Sequence, residues 1–130
     1  IEGYGSNDAM MLGLSVYGTS KRALTYFLKA LANEVKEKKL PIQIGRLAPG
    51  IMITDFISHS MGTEEFTLPE KTKKVYNILG DYPDVIAKFL VERMIVNKKN
   101  DVKINWLTNA KASFRFMTSG FNKRDFFLKA

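Results

Sequence analysis

Apolar positions recur at helical spacing from Val16 to Lys38. Ala23, Phe27, Ala30 and Leu31 form one set, and Leu24, Leu28 and Val35 widen it. That period predicts an amphipathic helix, with an apolar arc broad enough to pack on more than one neighbour. Pro41 closes the gap after it. "IQIGRLA", Ile42 to Ala48, places apolar residues at alternate positions and predicts a short strand ending at Pro49-Gly50. Ile51 to Gly80 is less regular, with a polar break at "GTEE" and a helix predicted from Pro69 to Leu79. A clearer helix follows in "DYPDVIAKFLVERMIVN". Asp81 can cap it, Pro83 suits its first turn, and Val85, Ile86, Phe89, Leu90 and Ile95 keep the period. "DVKINWLT", Asp101 to Thr108, predicts a second strand, and Ala110 to Met117 a short helix. Residues 1 to 15 open as a loop, "IEGYGSND", leaving an earlier element. The chain runs out in a basic, aromatic tail, "GFNKRDFFLKA". There is no internal repeat and no low-complexity tract.

Helices alternating with strands predict an α/β fold with a parallel sheet and crossover helices. Two strands are too few for a parallel sheet covered on both faces. The expected architecture is therefore the C-terminal part of a doubly wound, Rossmann-type sheet with flanking helices. Residues 1–130 are expected to form the C-terminal catalytic and substrate-lid portion of a single domain, its N-terminal dinucleotide-binding half being absent from this sequence.

The 130 residues are 45% hydrophobic and 25% charged, a globular balance. Without cysteine there is neither a disulfide framework nor a thiolate metal site. The lone histidine, His59, argues against a His-rich metal centre and a His-based triad, so no metal is expected. No apolar run approaches the ~20 residues that span a bilayer, and a cytoplasmic protein is the default expectation. The net charge of +7 raises the question of an anionic partner. The lysines are scattered, however. "KEKK" (Lys36 to Lys39) and "NKKN" (Asn97 to Asn100) fall at predicted helix ends, where cations complement the helix dipole. Neither a nucleic-acid partner nor a membrane span is expected.

Candidate chemistry sits in "SVYGTSKRAL", Ser15 to Leu24. Tyr17 and Lys21 are four apart, on one face of the predicted helix. Reducing a carbonyl requires a hydride to carbon and a proton to oxygen. A free phenol, with a pKa of about 10, is a sluggish acid–base catalyst at neutral pH. An ammonium one turn away favours the phenolate. The spacing alone also suits an ordinary half-buried helix pair.

"Y-G-T-S-K" followed roughly thirty residues later by a strand ending in "L-A-P-G-I-M-I-T-D" resembles the short-chain dehydrogenase/reductase family. Pro49, Gly50 and Thr54 carry the second half of the pattern, and the likeness runs over almost the whole chain. "VYNILGDYPDVIAKFLVERM" and "KRDFF" look like a subgroup that includes chlorophyll b reductase and its bacterial relatives. The resemblance implies an oxidoreductase that moves hydride between NADP or NAD, NADP ahead, and a carbonyl or hydroxyl group of a small molecule. It implies Tyr17 as acid–base and Lys21 on the nicotinamide ribose. Pro49 and Gly50 pass close to the nicotinamide ring, Ile51 meets its carboxamide, and Thr54 meets the carboxamide or pyrophosphate. Thr54 could equally cap a following helix with Asp55.

The family's carbonyl-binding serine stands farther from the tyrosine, where this chain has Gly3, Tyr4 and Gly5. Ser6, eleven residues before Tyr17, is the nearest hydroxyl of the right type, with Tyr4 or a backbone group as the alternative. Ser15 is too close to the tyrosine. The family's substrate lid maps to Phe56–Leu79, where Phe56, Ile57, Met61, Phe66 and Leu68 imply an apolar substrate. The glycine-rich phosphate loop has no counterpart here, so the chain alone is expected to bind a dinucleotide poorly. The missing N-terminal half is one expected partner. A second copy is the other, since the tyrosine helix of this family commonly packs on its own copy. Two other readings stand beside the enzyme. One is a non-catalytic subunit of dehydrogenase fold. The other is a basic RNA- or membrane-surface module using Phe121, Phe126, Phe127, Lys123 and Arg124.

Overall fold

The computed structural model describes residues 1–54 and 69–127. Phe56, Ile57, His59, Met61, Phe66 and Leu68, on which the lid expectation and the His59 reading rest, lie outside the described residues, as does Asp55. The elements run α1 (Ser15–Glu37), β1 (Gly45–Ala48), α2 (Glu70–Leu79), α3 (Pro83–Val96), β2 (Val102–Asn105) and α4 (Asn109–Thr118). Every helix and strand expected from the pattern is present. The described residues fall into two compact units, one formed by Ile1–Pro49 with Phe89–Trp106, the other by the rest.

In the first unit β1 and β2 pair in parallel, with Gly45 opposite Val102 and Ala48 opposite Asn105. Two strands separated by helices and paired in parallel are the α/β crossover that the alternation predicts. α1 packs on β1. It buries Thr25, Ala32 and Val35, while Tyr26 and Phe27 face solvent. The periodic set is therefore wider than the stripe this unit covers. Asn100 joins helix to sheet: its amide donates to the Ala32 carbonyl (2.8 Å) and its side-chain oxygen accepts from Ile44 N–H (2.9 Å). Phe89 packs edge-on against Trp106, with ring centroids 5.1 Å apart. Glu2 is a buried carboxylate. Arg46 (3.4 Å) and Lys103 (2.6 Å) compensate it, as burial of a charge demands. Its N–H donates to the Leu47 carbonyl (2.7 Å), so the opening residues meet β1 before turning away.

The second unit is organised around Asp81, read from the sequence as a helix cap. Its backbone meets residues 51–53: Asp81 N–H donates to Ile51 C=O (3.1 Å), and Ile53 N–H to Asp81 C=O (3.0 Å). Its carboxylate holds two guanidinium groups, Arg115 at 2.7 Å and Arg124 at 3.0 Å. Arg115 also donates to Leu79 C=O, and Arg124 to Gly80 C=O and Ile78 C=O, the open carbonyls that end α2. α2 packs on α4. The tail folds back here. Phe126 packs edge-on against Tyr82 at 5.1 Å between centroids, Phe127 lies near Tyr76, and Phe126 N–H donates to the Asn77 side chain (2.9 Å). Arg124, Phe126 and Phe127, candidates for a nucleic-acid or lipid contact, serve packing within this unit. Phe121 alone among them is almost fully exposed.

Lys111 stands near the same cluster. Burial, then the neighbouring Arg115 and Arg124, lower its pKa from the ordinary 10.5, while Asp81 partly offsets them. The unfolded chain then holds that proton more tightly than the folded one, so stability rises with pH in the window below 10.5. Lys111→Met is expected to raise Tm slightly at neutral pH, since the group is mostly exposed and its charge is screened. The gain should shrink as the pH reaches that window. Melts across pH of both proteins check it.

Candidate active site

Tyr17 lies in the first turn of α1, and Lys21 one turn further on. The Lys21 ammonium stands over the Tyr17 ring, 5.4 Å from its centroid, within the range where a cation is drawn to an aromatic face. The i, i+4 spacing thus places cation and phenol together.

The loop before the helix closes on the same place. Two consecutive turns shape it: Ser6 N–H donates to Gly3 C=O and Asp8 N–H to Gly5 C=O, both at 3.1 Å. Gly3 abuts the phenol so closely that a Cβ there would stand 2.5 Å from Tyr17 Oη and 3.1 Å from Lys21 Cε. Gly5 has φ +92°, and a Cβ on it would come within 2.5 Å of Gly18 Cα. Loop and helix therefore touch backbone to backbone beside Tyr17, an approach that needs glycine. Ser6 is buried, and its hydroxyl accepts from Gly3 N–H at 3.0 Å. Among the described contacts that oxygen acts as acceptor, which keeps its own O–H for another acceptor. Gly3 thus has the Ser6 hydroxyl against its N–H and the Tyr17 hydroxyl against its Cα. Tyr4, the alternative to Ser6, donates its hydroxyl to Met10 C=O at 3.1 Å. Ser15 opens α1, and Ser20 Oγ donates back to Tyr17 C=O (2.7 Å).

Tyr17, Lys21, Ser6 and the buried Pro49 belong to the first unit. Gly50, Ile51 and Thr54 belong to the second. Gly50 has φ +73°, and a Cβ there would meet the Leu107 side chain at 2.8 Å, so the position requires glycine for its backbone and for its space. The Ile51 carbonyl is engaged by Asp81 N–H, and Thr54 is half-buried at the last described residue of its stretch. Pattern reading passes over Gly3, Gly18, Asp8 and Arg22. Nothing in their types marks them until the turn brings loop and helix together.

Parallel strands linked through helices are those of a Rossmann-type α/β segment, and a tyrosine–lysine pair one turn apart lies in it with a hydroxyl loop against it. The family model described as "short chain dehydrogenase" matches residues 5–65, which hold Ser6, Tyr17, Lys21, Pro49, Gly50, Ile51 and Thr54. That stretch is similar to the short-chain dehydrogenase family. The chain is 26% identical over 119 residues to Probable chlorophyll(ide) b reductase NYC1 of Oryza sativa subsp. japonica, covering 92% of this chain and 22% of the relative. It is 25% identical over 127 residues to the protein of the same name from Arabidopsis thaliana, 98% of this chain and 24% of the relative. To Chlorophyll(ide) b reductase NOL of Oryza sativa subsp. japonica it is 26% identical over 123 residues, 91% and 34%. The resemblance to the chlorophyll b reductase subgroup thus holds, and the chain spans between 22% and 34% of the length of these relatives. No solved structure matches it. Among the described residues no helix is long and apolar enough to cross a membrane.

Proposed function

We propose that this chain is the C-terminal catalytic portion of a short-chain oxidoreductase acting on a carbonyl or alcohol, with Tyr17 as proton donor and acceptor. The observation that carries the reading is the meeting of three groups at Gly3: the Tyr17 phenol, the Lys21 side chain and the Ser6 hydroxyl. A substrate carbonyl oxygen placed against the phenol takes its proton from Tyr17 and a hydrogen bond from Ser6. In the alcohol direction Tyr17 takes the proton back.

A nicotinamide dinucleotide, NADP ahead of NAD, supplies or accepts the hydride when bound. Within the first unit Lys21 offers an ammonium to its ribose; the second unit brings Gly50, whose missing Cβ makes room for Leu107. The Ile51 carbonyl is already held by the chain, so contact with a carboxamide falls to its N–H. Thr54 adds a hydroxyl. The phosphate-cradling loop belongs to a preceding dinucleotide-binding half. A second copy of the protein is the other partner of this reading. An apolar substrate is supported by Met10 and Leu12, 92% and 98% exposed on the segment between Ser6 and Tyr17.

The test separates Lys21 from the other lysines, in the protein that joins this chain to its dinucleotide-binding half. Lys21→Met is expected to weaken NADPH binding by about 10- to 100-fold, the loss of a charge-assisted hydrogen bond. Lys38→Met and Lys99→Met, at exposed positions, should leave it unchanged. Fluorescence titration of NADPH measures all three. Equal losses from all three variants would point to a diffuse basic surface, and no loss from Lys21→Met would remove the cofactor role.

A further inference from the structure

The loop that carries Ser6 is fastened to α1 by Arg22, the residue after Lys21. Its Nε stands 2.8 Å from Asp8 Oδ1, and its Nη1 donates to the Ser6 carbonyl at 3.2 Å. One guanidinium therefore grips the loop at two points, two residues apart. Asp8 holds φ +67°, an uncommon backbone state for a residue with a side chain, and the grip falls on that residue. A planar guanidinium presents its donors in a fixed fork, whereas an ammonium does not.

The magnitude decides what this contact is for. Arg22 and Asp8 are 49% and 66% exposed, and an ion pair so wet adds little to stability. That is a minor contribution to a fold. Its consequence lies in the geometry it fixes, since a displacement of about 1 Å at a reacting centre costs on the order of 10²-fold in rate. The Ser6 carbonyl held by Arg22 belongs to the same residue whose hydroxyl lies against Gly3, and Gly3 abuts Tyr17.

We propose that Arg22 is a positioning residue: acting through Ser6 and Asp8, it sets the serine hydroxyl relative to Tyr17. The inference rests on the catalytic reading of Tyr17 and Ser6.

The test uses the protein with its dinucleotide-binding half, NADPH, and a panel of aldehydes together with chlorophyllide b. Arg22→Gln is expected to lower kcat/KM about tenfold while leaving the NADPH dissociation constant unchanged and moving Tm by no more than about 4 °C. Without cofactor, hydrogen exchange at the Ser6 and Asp8 amides should quicken about tenfold, since both close the turns that Arg22 holds. Arg22→Lys should recover Tm, by restoring a charge beside Asp8, but not the rate. Asp8→Asn, which keeps an acceptor, should lose about two- to threefold in rate.

Unchanged kcat/KM and unchanged exchange in Arg22→Gln, in a protein that Tyr17→Phe inactivates, would overturn the positioning role and leave the catalytic reading standing. Full recovery of rate by Arg22→Lys would also overturn it, because charge alone would then suffice. Full activity in Tyr17→Phe would overturn both. Should Arg22→Gln fail to fold, Asp8→Asn decides: unchanged rate and exchange there overturn the proposal.

Discussion

Tyr17→Phe is expected to lower turnover by at least ~10²-fold, the usual contribution of a positioned acid–base group, with cofactor affinity unchanged within about twofold. The geometry is what makes the substitution informative. Phenylalanine keeps the ring, and with it the face over which the Lys21 ammonium stands at 5.4 Å. The half-buried packing of the first turn of α1 is retained. What disappears is the hydroxyl beside Gly3. Loss of rate with retained NADPH binding and an unshifted melt therefore isolates the proton transfer. Initial rates with NADPH and the aldehyde panel, beside a cofactor titration, give the comparison. Near-normal turnover in the variant would end the assignment of Tyr17 as the acid–base. The non-catalytic subunit of dehydrogenase fold would then be the better reading.

The helices and the tyrosine–lysine pair were legible because they are local. A period of 3.6 residues names α1, α2, α3 and α4 within a residue or two of their ends, and places Tyr17 and Lys21 together without any tertiary knowledge. The strands proved shorter than the pattern implied, for identifiable reasons. At Ile44 the N–H goes to the Asn100 side chain, so the ladder begins at Gly45 instead of Ile42. Thr108, expected to end the second strand, caps α4 by accepting from Lys111 N–H at 3.2 Å. Asp81 is the same lesson in reverse. Its type and place before Pro83 fit a cap, and its carboxylate also holds Arg115 and Arg124, which lie far along the chain. The remainder of the candidate site is non-local in the same way. Gly3, Ser6, Asp8 and Arg22 come together through two turns and a positive-φ glycine, and a period of hydrophobicity carries no record of such contacts. The likeness to the family pointed to Ser6 as the nearest hydroxyl of the right type. It could not show that Gly3 stands between serine and tyrosine.

Three glycine-to-alanine changes around this contact are expected to have three different outcomes. Gly5→Ala should be the most damaging to the fold. Its φ of +92° strains any side chain, and the new methyl would lie 2.5 Å from the Gly18 backbone, in a place where nothing flexible can yield. A loss of roughly 2–4 kcal/mol is expected, from strain and overpacking together. Gly18→Ala adds a methyl on the other side of the same contact. There its nearest neighbour, Gly5 Cα, is at 3.8 Å, an ordinary distance. Alanine favours a helix over glycine by roughly 0.5–1 kcal/mol, so this variant should be stabilised with activity kept. Gly3→Ala meets the ends of flexible side chains, Tyr17 Oη at 2.5 Å and Lys21 Cε at 3.1 Å, and these can move aside. The fold should survive with a shift of about 1 kcal/mol or less. Turnover should fall by at least ~10-fold, because the phenol is pushed from its place. Denaturant melts and initial rates on the three variants give six numbers. Equal stability of Gly5→Ala and wild type would mean that loop and helix do not touch as described. A fully active Gly3→Ala would mean that the Tyr17 hydroxyl does no chemistry where it stands.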